Sequence, residues 1–137
     1  MALTHLADTS VLTRLGAAPV RAVLEPLVES GSVARAGITD LEVGFSARDA
    51  TEWDDLLGAL GVFALVESTA EHVARARQVQ RLLAGDRLRG RKVPDLLIAS
   101  AAEERGLTVL HYDADFDMIA SVTGQPVEWV VPRGSID

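Results

Sequence analysis

The stretch "PDLLIASAAEERGLTVLHYDADFDMI", residues 94 to 119, decides the fold. Proline in a first helical turn, an apolar run and a glycine at 106 predict a helix over 94–106. "LTVLHY" (107–112) then predicts a buried strand, and "ADFDMIASVTG" (114–124) a second helix. Where that strand gives way to the helix, Asp113, Asp115 and Asp117 occupy every second position, with Phe116 interleaved. Like charges that close repel. Either these acids lie in solvent at a helix start, or some of them hold something positive.

Working outward, "LTHLA" (3–7) reads as a short buried strand ending at Asp8. "PVRAVLEPLVES" (19–30) has helical apolar spacing, with a kink expected at Pro26 and an end at Gly31. "SVARAG" (32–37) is a second strand, and "TDLEVGFSAR" (39–48) and "DATEWDDLLGAL" (49–60) are helices. "VFALV" (62–66) is a strand, "STAEHVARARQVQRLLAG" (68–85) a capped helix, and "VEWVV" (127–131) the last strand. Strands alternating with helices predict one α/β domain over residues 1–137, with a central parallel β-sheet flanked by α-helices. In such sheets the working site lies beyond the carboxyl ends of the strands. That rule puts Asp8 and Asp113 on one edge, and sets Glu42 and Asp95, at helix starts, to face it.

Bulk properties narrow the class. With 137 residues, 48% of them hydrophobic and 24% charged, the chain has enough apolar content for an ordinary core. It has no cysteine, so disulfides and thiolate metal sites are excluded and a reducing, cytoplasmic setting is expected. The start, "MALTHLADTS", lacks the basic and apolar regions of a signal peptide, and no 18-residue uncharged apolar run predicts a membrane span. A formal net charge of −7 argues against a general nucleic-acid coat. Arg81, Arg87, Arg89, Arg91 and Lys92 nevertheless place five of thirteen cations within twelve residues, and a local patch acts independently beyond a Debye length of roughly 8–10 Å. That cluster reads equally as a solvated loop or an RNA contact.

Each acid alone has an ordinary explanation. Asp8 suits a turn or helix cap, and Glu42 closes a capping box with Thr39, as Glu71 does with Ser68. Asp95 in a first turn gains about 0.3–1 kcal/mol from the helix dipole, and Asp113 caps the helix after it. Together they demand more. The "LLIASAA" that follows Asp95 is apolar nearly all round, so its start is buried, where an unpaired carboxylate costs several kcal/mol. Carboxylates converging on one edge call for a hard divalent cation, Mg²⁺ or Mn²⁺, which prefers oxygen ligands and leaves room for phosphate. A calcium loop beginning at Asp113 fails, because its sixth position is Met118 and its twelfth Gly124. A phosphoacceptor receiver needs a lysine after a late strand, whereas Lys92 precedes a helix. No P-loop, dinucleotide fingerprint or nucleophile elbow occurs. His5 in the first strand, His72 on a solvated helix face and His111 before Asp113 are read as structural. Ser10 either orients Asp8 or caps the next helix, and Trp53 and Trp129 are packing residues.

"LADTSVL", "ITDLEVGFSAR" and "VPDLLIASAAEERGLTVLHYDADFD", in that order and spanning essentially the whole chain, resemble the PIN-domain ribonucleases, and most closely the VapC-type toxins of bacterial toxin–antitoxin pairs. The resemblance implies a Mg²⁺- or Mn²⁺-dependent endoribonuclease whose site residues fall on Asp8, Glu42, Asp95 and Asp113. Asp115 is a second candidate for the fourth acid, and Asp117 lies outside the pattern. Asp8, Asp95 and Asp113 are expected to hold metal, with Glu42 ligating through water or placing the attacking water. Where relatives more often carry a hydroxyl residue, this chain has His111. The implied partners are an RNA substrate, a small cognate antitoxin and a second copy in a homodimer, with operator DNA reached only through the antitoxin. A competing class is a non-catalytic module that pairs with its partner and occupies operator DNA, for which Leu56, Leu57, Leu60 and Val62 offer contacts if they are not core. A flap-cutting DNA nuclease ranks below both, because the chain leaves little room for the arch such enzymes use.

Overall fold

A computed structural model describes residues 2–88 and 92–137. Five strands, β1 (His5–Ala7), β2 (Val33–Ala36), β3 (Ala64–Val66), β4 (Thr108–His111) and β5 (Val127–Trp129), form one sheet in the order β3-β2-β1-β4-β5. Every pairing is parallel, with Leu6 opposite both Ala34 and Val109. The connections carry α1 (Thr9–Leu12), α2 (Ala18–Glu29), α3 (Gly37–Gly44), α4 (Ala50–Ala59), α5 (Ala70–Gly85), α6 (Val93–Arg105) and α7 (Asp115–Thr123). A 3₁₀ turn (Leu60–Val62) leads into β3.

Alternation along the strands builds two cores, one on each face. Leu6, Ala34 and Val109 pack with Val79, Leu83, Ile98, Ala102, Phe116 and Ile119, from α5, α6 and α7. Their neighbours Ala7, Val33 and Leu110 pack with Val11, Val20, Leu24, Leu60 and Phe63 on the other face. Both layers are therefore covered by helices, as the near-continuous apolar strands require. Strands and helices fall where the sequence places them, with ends moved by a few residues, and α2 continues through Pro26.

Three local expectations fail, for identifiable reasons. First, α3 starts at Gly37, two residues earlier than expected, so Glu42 sits inside the helix and Thr39 is not its cap. Second, α5 starts at Ala70, which makes Thr69 the cap and His72 its reciprocal partner in place of Ser68 and Glu71. Third, His72 is consequently buried, not solvated: its Nδ1 accepts the Thr69 N–H at 3.1 Å and its Nε2 lies 3.0 Å from Glu104 Oε1 on α6. Histidine in this role is invisible to a pattern that looks for glutamate or glutamine. Arg75 bonds Glu103 through two nitrogens at 2.7 and 3.1 Å, so α5 and α6 are zipped together over the sheet.

The second cross-tie is Arg35, which leaves β2 and pairs with both carboxylate oxygens of Asp40 on α3, at 2.7 and 3.1 Å. Its remaining nitrogen donates to the Leu60 and Phe63 carbonyls at 3.1 and 2.6 Å. One guanidinium thus fixes the helix that carries Glu42 to both the strand before it and the turn after α4. Arg35→Ala leaves Asp40 and two carbonyls without a donor in a half-buried site, and is expected to cost roughly 2–4 kcal/mol. Urea unfolding of the two proteins at pH 7 measures it; a loss below about 0.5 kcal/mol would show that the pair is ornamental.

Candidate metal centre

Pairing β1 with β4 brings their carboxyl ends side by side, and the acids follow directly. Asp8, the residue after β1, caps α1: its Oδ2 accepts the Ser10 N–H at 2.9 Å. The Ser10 hydroxyl accepts the Tyr112 N–H at 2.9 Å, tying α1 to the end of β4. Asp113 follows β4 by two residues, and its Oδ1 accepts the Asp115 N–H at 2.9 Å. The first turn of α6 delivers Asp95 to the same edge. Asp8 is 2% exposed and Asp95 4% exposed, on an edge otherwise open to solvent.

Asp95, Asp113 and Asp115 offer carboxylate oxygens that all lie within 4.8 Å of one another. Asp8 and Glu42 stand just outside that trio but line the same open groove, of about 640 Å³, with Asp95 and Asp113. Glu42 is exposed, and its Oε1 accepts the Thr9 hydroxyl at 2.7 Å; Thr9 Oγ1 in turn lies 2.9 Å from that of buried Thr39. The five acids of the sequence reading therefore converge. Asp113 lines the groove directly, whereas Asp115 joins it through the trio.

Electrostatics sharpen the picture. Burial pushes the Asp8 carboxyl above its ordinary range despite hydrogen bonds from Ser10. Asp95 is pushed up to about 8, by burial first and then by the negative charges of Asp8, Asp113 and Asp115. Burial raises Asp113 too, but the Lys92 hydrogen bond and the Asp115 N–H outweigh it and hold it low. Among the described residues, three buried side-chain polar atoms lack a hydrogen-bond partner, and two are Asp8 Oδ1 and Asp95 Oδ2. An all-oxygen donor set with orphaned, desolvated carboxylate atoms is what a hard divalent cation needs.

Lys92 lies among the acids: its Nζ is 2.6 Å from Asp113 Oδ2 and 3.8 Å from Asp95 Oδ2. Arg87 and Arg81 are exposed and do not line the groove; Arg89 and Arg91 lie outside the described residues. Among the described residues the groove's cations are Arg14, Lys92 and Arg133, and two of these are residues the sequence reading passed over because nothing local marks them.

The remaining expectations resolve simply. His111 is fully buried; its Nδ1 accepts the Asp113 N–H at 3.2 Å, its ring packs on Phe116 and Trp129, and burial lowers its pKa, so it is a structural imidazole. His5 bridges Thr4 and Glu128 and does not line the groove. Asp117 is exposed and accepts the Trp129 indole N–H at 3.1 Å. Trp53 packs so closely on Gly44 that an added Cβ would lie 2.5 Å from its Nε1. Leu60 is buried and Leu57 packs against the core, while Val62 is exposed.

Residues 6–122 match the family model of the PIN domain, and the chain belongs to that family. It is similar to ribonuclease VapC51 of Mycobacterium tuberculosis, with 64% identity over 137 residues that cover 100% of both chains. The fold is shared with a DNA-bound VapBC complex from Salmonella typhimurium, at TM-score 0.76 and 18% identity over 94% of this chain and 99% of that one. A toxin–antitoxin complex from Klebsiella pneumoniae superposes at TM-score 0.73, with 22% identity over 93% and 98% of the respective chains.

The raised pKa of Asp95 has a thermodynamic sign. Between its unfolded value near 3.8 and about 8, the folded state holds a proton that the unfolded state has lost, so this group lowers stability as pH rises through that window. Asp95→Asn removes the penalty. Without added metal the variant is expected to be more stable than the parent at pH 8 by roughly 1–3 kcal/mol, with the gap closing toward pH 4. Thermal unfolding across pH in EDTA measures this; a gap that widens on acidification would reverse the assignment.

Proposed function

We propose that this chain is the endoribonuclease toxin of a toxin–antitoxin pair, hydrolysing RNA phosphodiester bonds with Mg²⁺ or Mn²⁺ and so inhibiting translation and growth. The carrying observation is the pair of buried carboxylates, Asp8 and Asp95, each with one oxygen that has no hydrogen-bond partner at the carboxyl edge of a parallel sheet. Full-length likeness to a relative named as a ribonuclease supports the same reading. Residues 1–137 act as one nuclease domain, in the cytoplasm.

On this reading Asp8, Asp95 and Asp113 hold the cation, and Asp115 supports them from the start of α7. When bound, the cation acidifies a water molecule and offsets the charge that grows on the phosphodiester. Asp8 is aimed by the Ser10 N–H, and Asp113 by the Asp115 N–H. Glu42, held by the Thr9 hydroxyl and open to solvent, is placed to orient the attacking water and take its proton. Lys92 keeps Asp113 and Asp95 together and would compete with a cation held by the same carboxylates.

The partner is a small cognate antitoxin, and operator DNA is reached only through it. Support comes from Leu41 and Phe45, 70% and 92% exposed, which flank Glu42 along α3 and leave apolar surface uncovered beside the groove. A homodimer is the assembly in which we expect the toxin to work.

Purified protein incubated with total RNA in Mg²⁺ or Mn²⁺ is expected to give discrete fragments. EDTA or Asp95→Asn should abolish them, with rate losses of at least about a hundredfold. Fragments that persist in the variant would sink the metal assignment. Absence of both cleavage and metal binding in the parent would favour the non-catalytic module. Separately, Lys92→Gln removes a positive charge a few ångströms from the cation and should tighten Mn²⁺ binding by roughly tenfold, as read by paramagnetic resonance titration. Unchanged or weaker binding would mean that Lys92 does not compete for the site.

A further inference from the structure

The groove is electrically polarised along the sheet edge. Following the strand order outward from β2, its lining runs from Glu42 to Asp8 after β1, then Asp113 after β4, and reaches Trp129, Arg133 and Gly134 at and beyond β5. Charge changes sign at the β5 end. Among the described residues three cations line the groove, and two are committed. Lys92 is bonded to Asp113. Arg14 donates to the Ser10 and Asp137 carbonyls at 2.7 and 2.8 Å and lies 5.0 Å over the Tyr112 ring. Arg133 is exposed and, among the described residues, has no hydrogen bond or ion pair; its one recorded contact is with Trp129, 5.6 Å from guanidinium carbon to ring centroid.

An exposed arginine is usually a mobile, solvated charge. This one is carried by a built turn. The Ser135 N–H donates to the Pro132 carbonyl at 3.0 Å, and Gly134 supplies the positive φ of 81° that closes it. The Tyr112 phenol oxygen accepts the Gly134 N–H at 2.9 Å and the Ile136 N–H at 3.3 Å, and donates to the Ile136 carbonyl at 2.8 Å. Tyr112 is the residue before Asp113, so the latch sets the turn's position relative to the acids. A guanidinium stacked on an indole keeps its edge N–H groups free, in a fork that matches two phosphate oxygens. In a chain of net charge −7, an unpaired cation held at the mouth of an acidic groove is placed to receive a polyanion.

We propose that Arg133 is a positioning residue that binds a backbone phosphate of the RNA on the β5 side of the scissile bond. This rests on the ribonuclease reading above. It makes the turn after β5 a strand-holding element. Contact is with phosphate, so it sets affinity and register without reading bases.

The test uses an RNA that the parent protein cuts. Arg133→Gln keeps the aliphatic stem against Trp129 and removes the charge. It is expected to raise KM about tenfold while kcat stays within about threefold, with Arg133→Lys recovering most of the loss. With the cleavage-deficient Asp95→Asn protein as background, anisotropy of a labelled single-stranded RNA pool across KCl concentrations should show the salt slope falling by about 0.7 on removing one phosphate contact. If the parent cuts RNA but KM and salt slope are unchanged in Arg133→Gln, the proposal is overturned while the nuclease stands. A fall in kcat alone overturns it too, because the residue would then act on the transition state. Equal losses in the Gln and Lys variants with a lowered Tm would make Arg133 only a packing partner of Trp129, and likewise overturn it. If the parent cuts no RNA, it is the ribonuclease reading that has failed.

Discussion

Two carboxylates that the protein itself cannot satisfy organise this edge of the molecule. Asp8 and Asp95 are both at least 96% buried, and each leaves an oxygen without a hydrogen-bond partner. Water would solvate those oxygens at no structural cost, yet the fold withdraws them from it. The withdrawal follows from backbone geometry. Asp8 must lie where β1 ends because it caps α1, and Asp95 must lie in the first turn of α6, whose body is buried from Leu96 through Ala102 apart from half-buried Leu97. Both acids are therefore held desolvated at the floor of the groove by the helices that carry them, and Asp95 keeps its proton up to about pH 8.

The surrounding bonds make sense as means of aiming these acids. Ser10 uses its N–H for Asp8 and its hydroxyl for the Tyr112 backbone, so the ends of β1 and β4 cannot drift apart. Thr9 reaches across to Glu42 and Thr39, which couples α1 to α3. Arg35 then fixes α3 to β2 and to the 3₁₀ turn. The helix carrying exposed Glu42 is thus tied by polar bonds to both α1 and β2, a reasonable division where packing supplies little: α3 buries only Thr39 fully.

Much of this was readable in the chain, and what was not has a common cause. Alternation of strands with helices predicts the parallel sheet, and the parallel sheet predicts the edge on which Asp8, Glu42, Asp95 and Asp113 meet. The burial of Asp95 follows from "LLIASAA" alone. Local patterns fail where two registers compete: "STAEH" satisfies a capping box from Ser68 or from Thr69, and tertiary contact with Glu104 accompanies the choice of the second. The groove's cations were illegible for a different reason. Arg14, Lys92 and Arg133 are far apart in the chain, and only the order of β1, β4 and β5 makes them neighbours. The conspicuous Arg87–Lys92 run drew attention by local density, but of its two described cations Lys92 lines the groove and Arg87 does not.

Placing the described cations by topology also bears on how a chain of net charge −7 would admit the proposed polyanionic substrate. A uniformly basic cleft would bind nucleic acid through charge alone and would leave a divalent cation no reason to enter. A uniformly acidic one would take the cation and repel the strand. Here the two demands are separated along the edge: desolvated acids at β1 and β4, and Arg133 on its phenol-latched turn past β5. Lys92 lies among the acids and is paired with Asp113. On the proposed reading, the acids take the cation and the arginine past β5 takes a phosphate. Proximity in the fold, not net charge, decides which ion goes where.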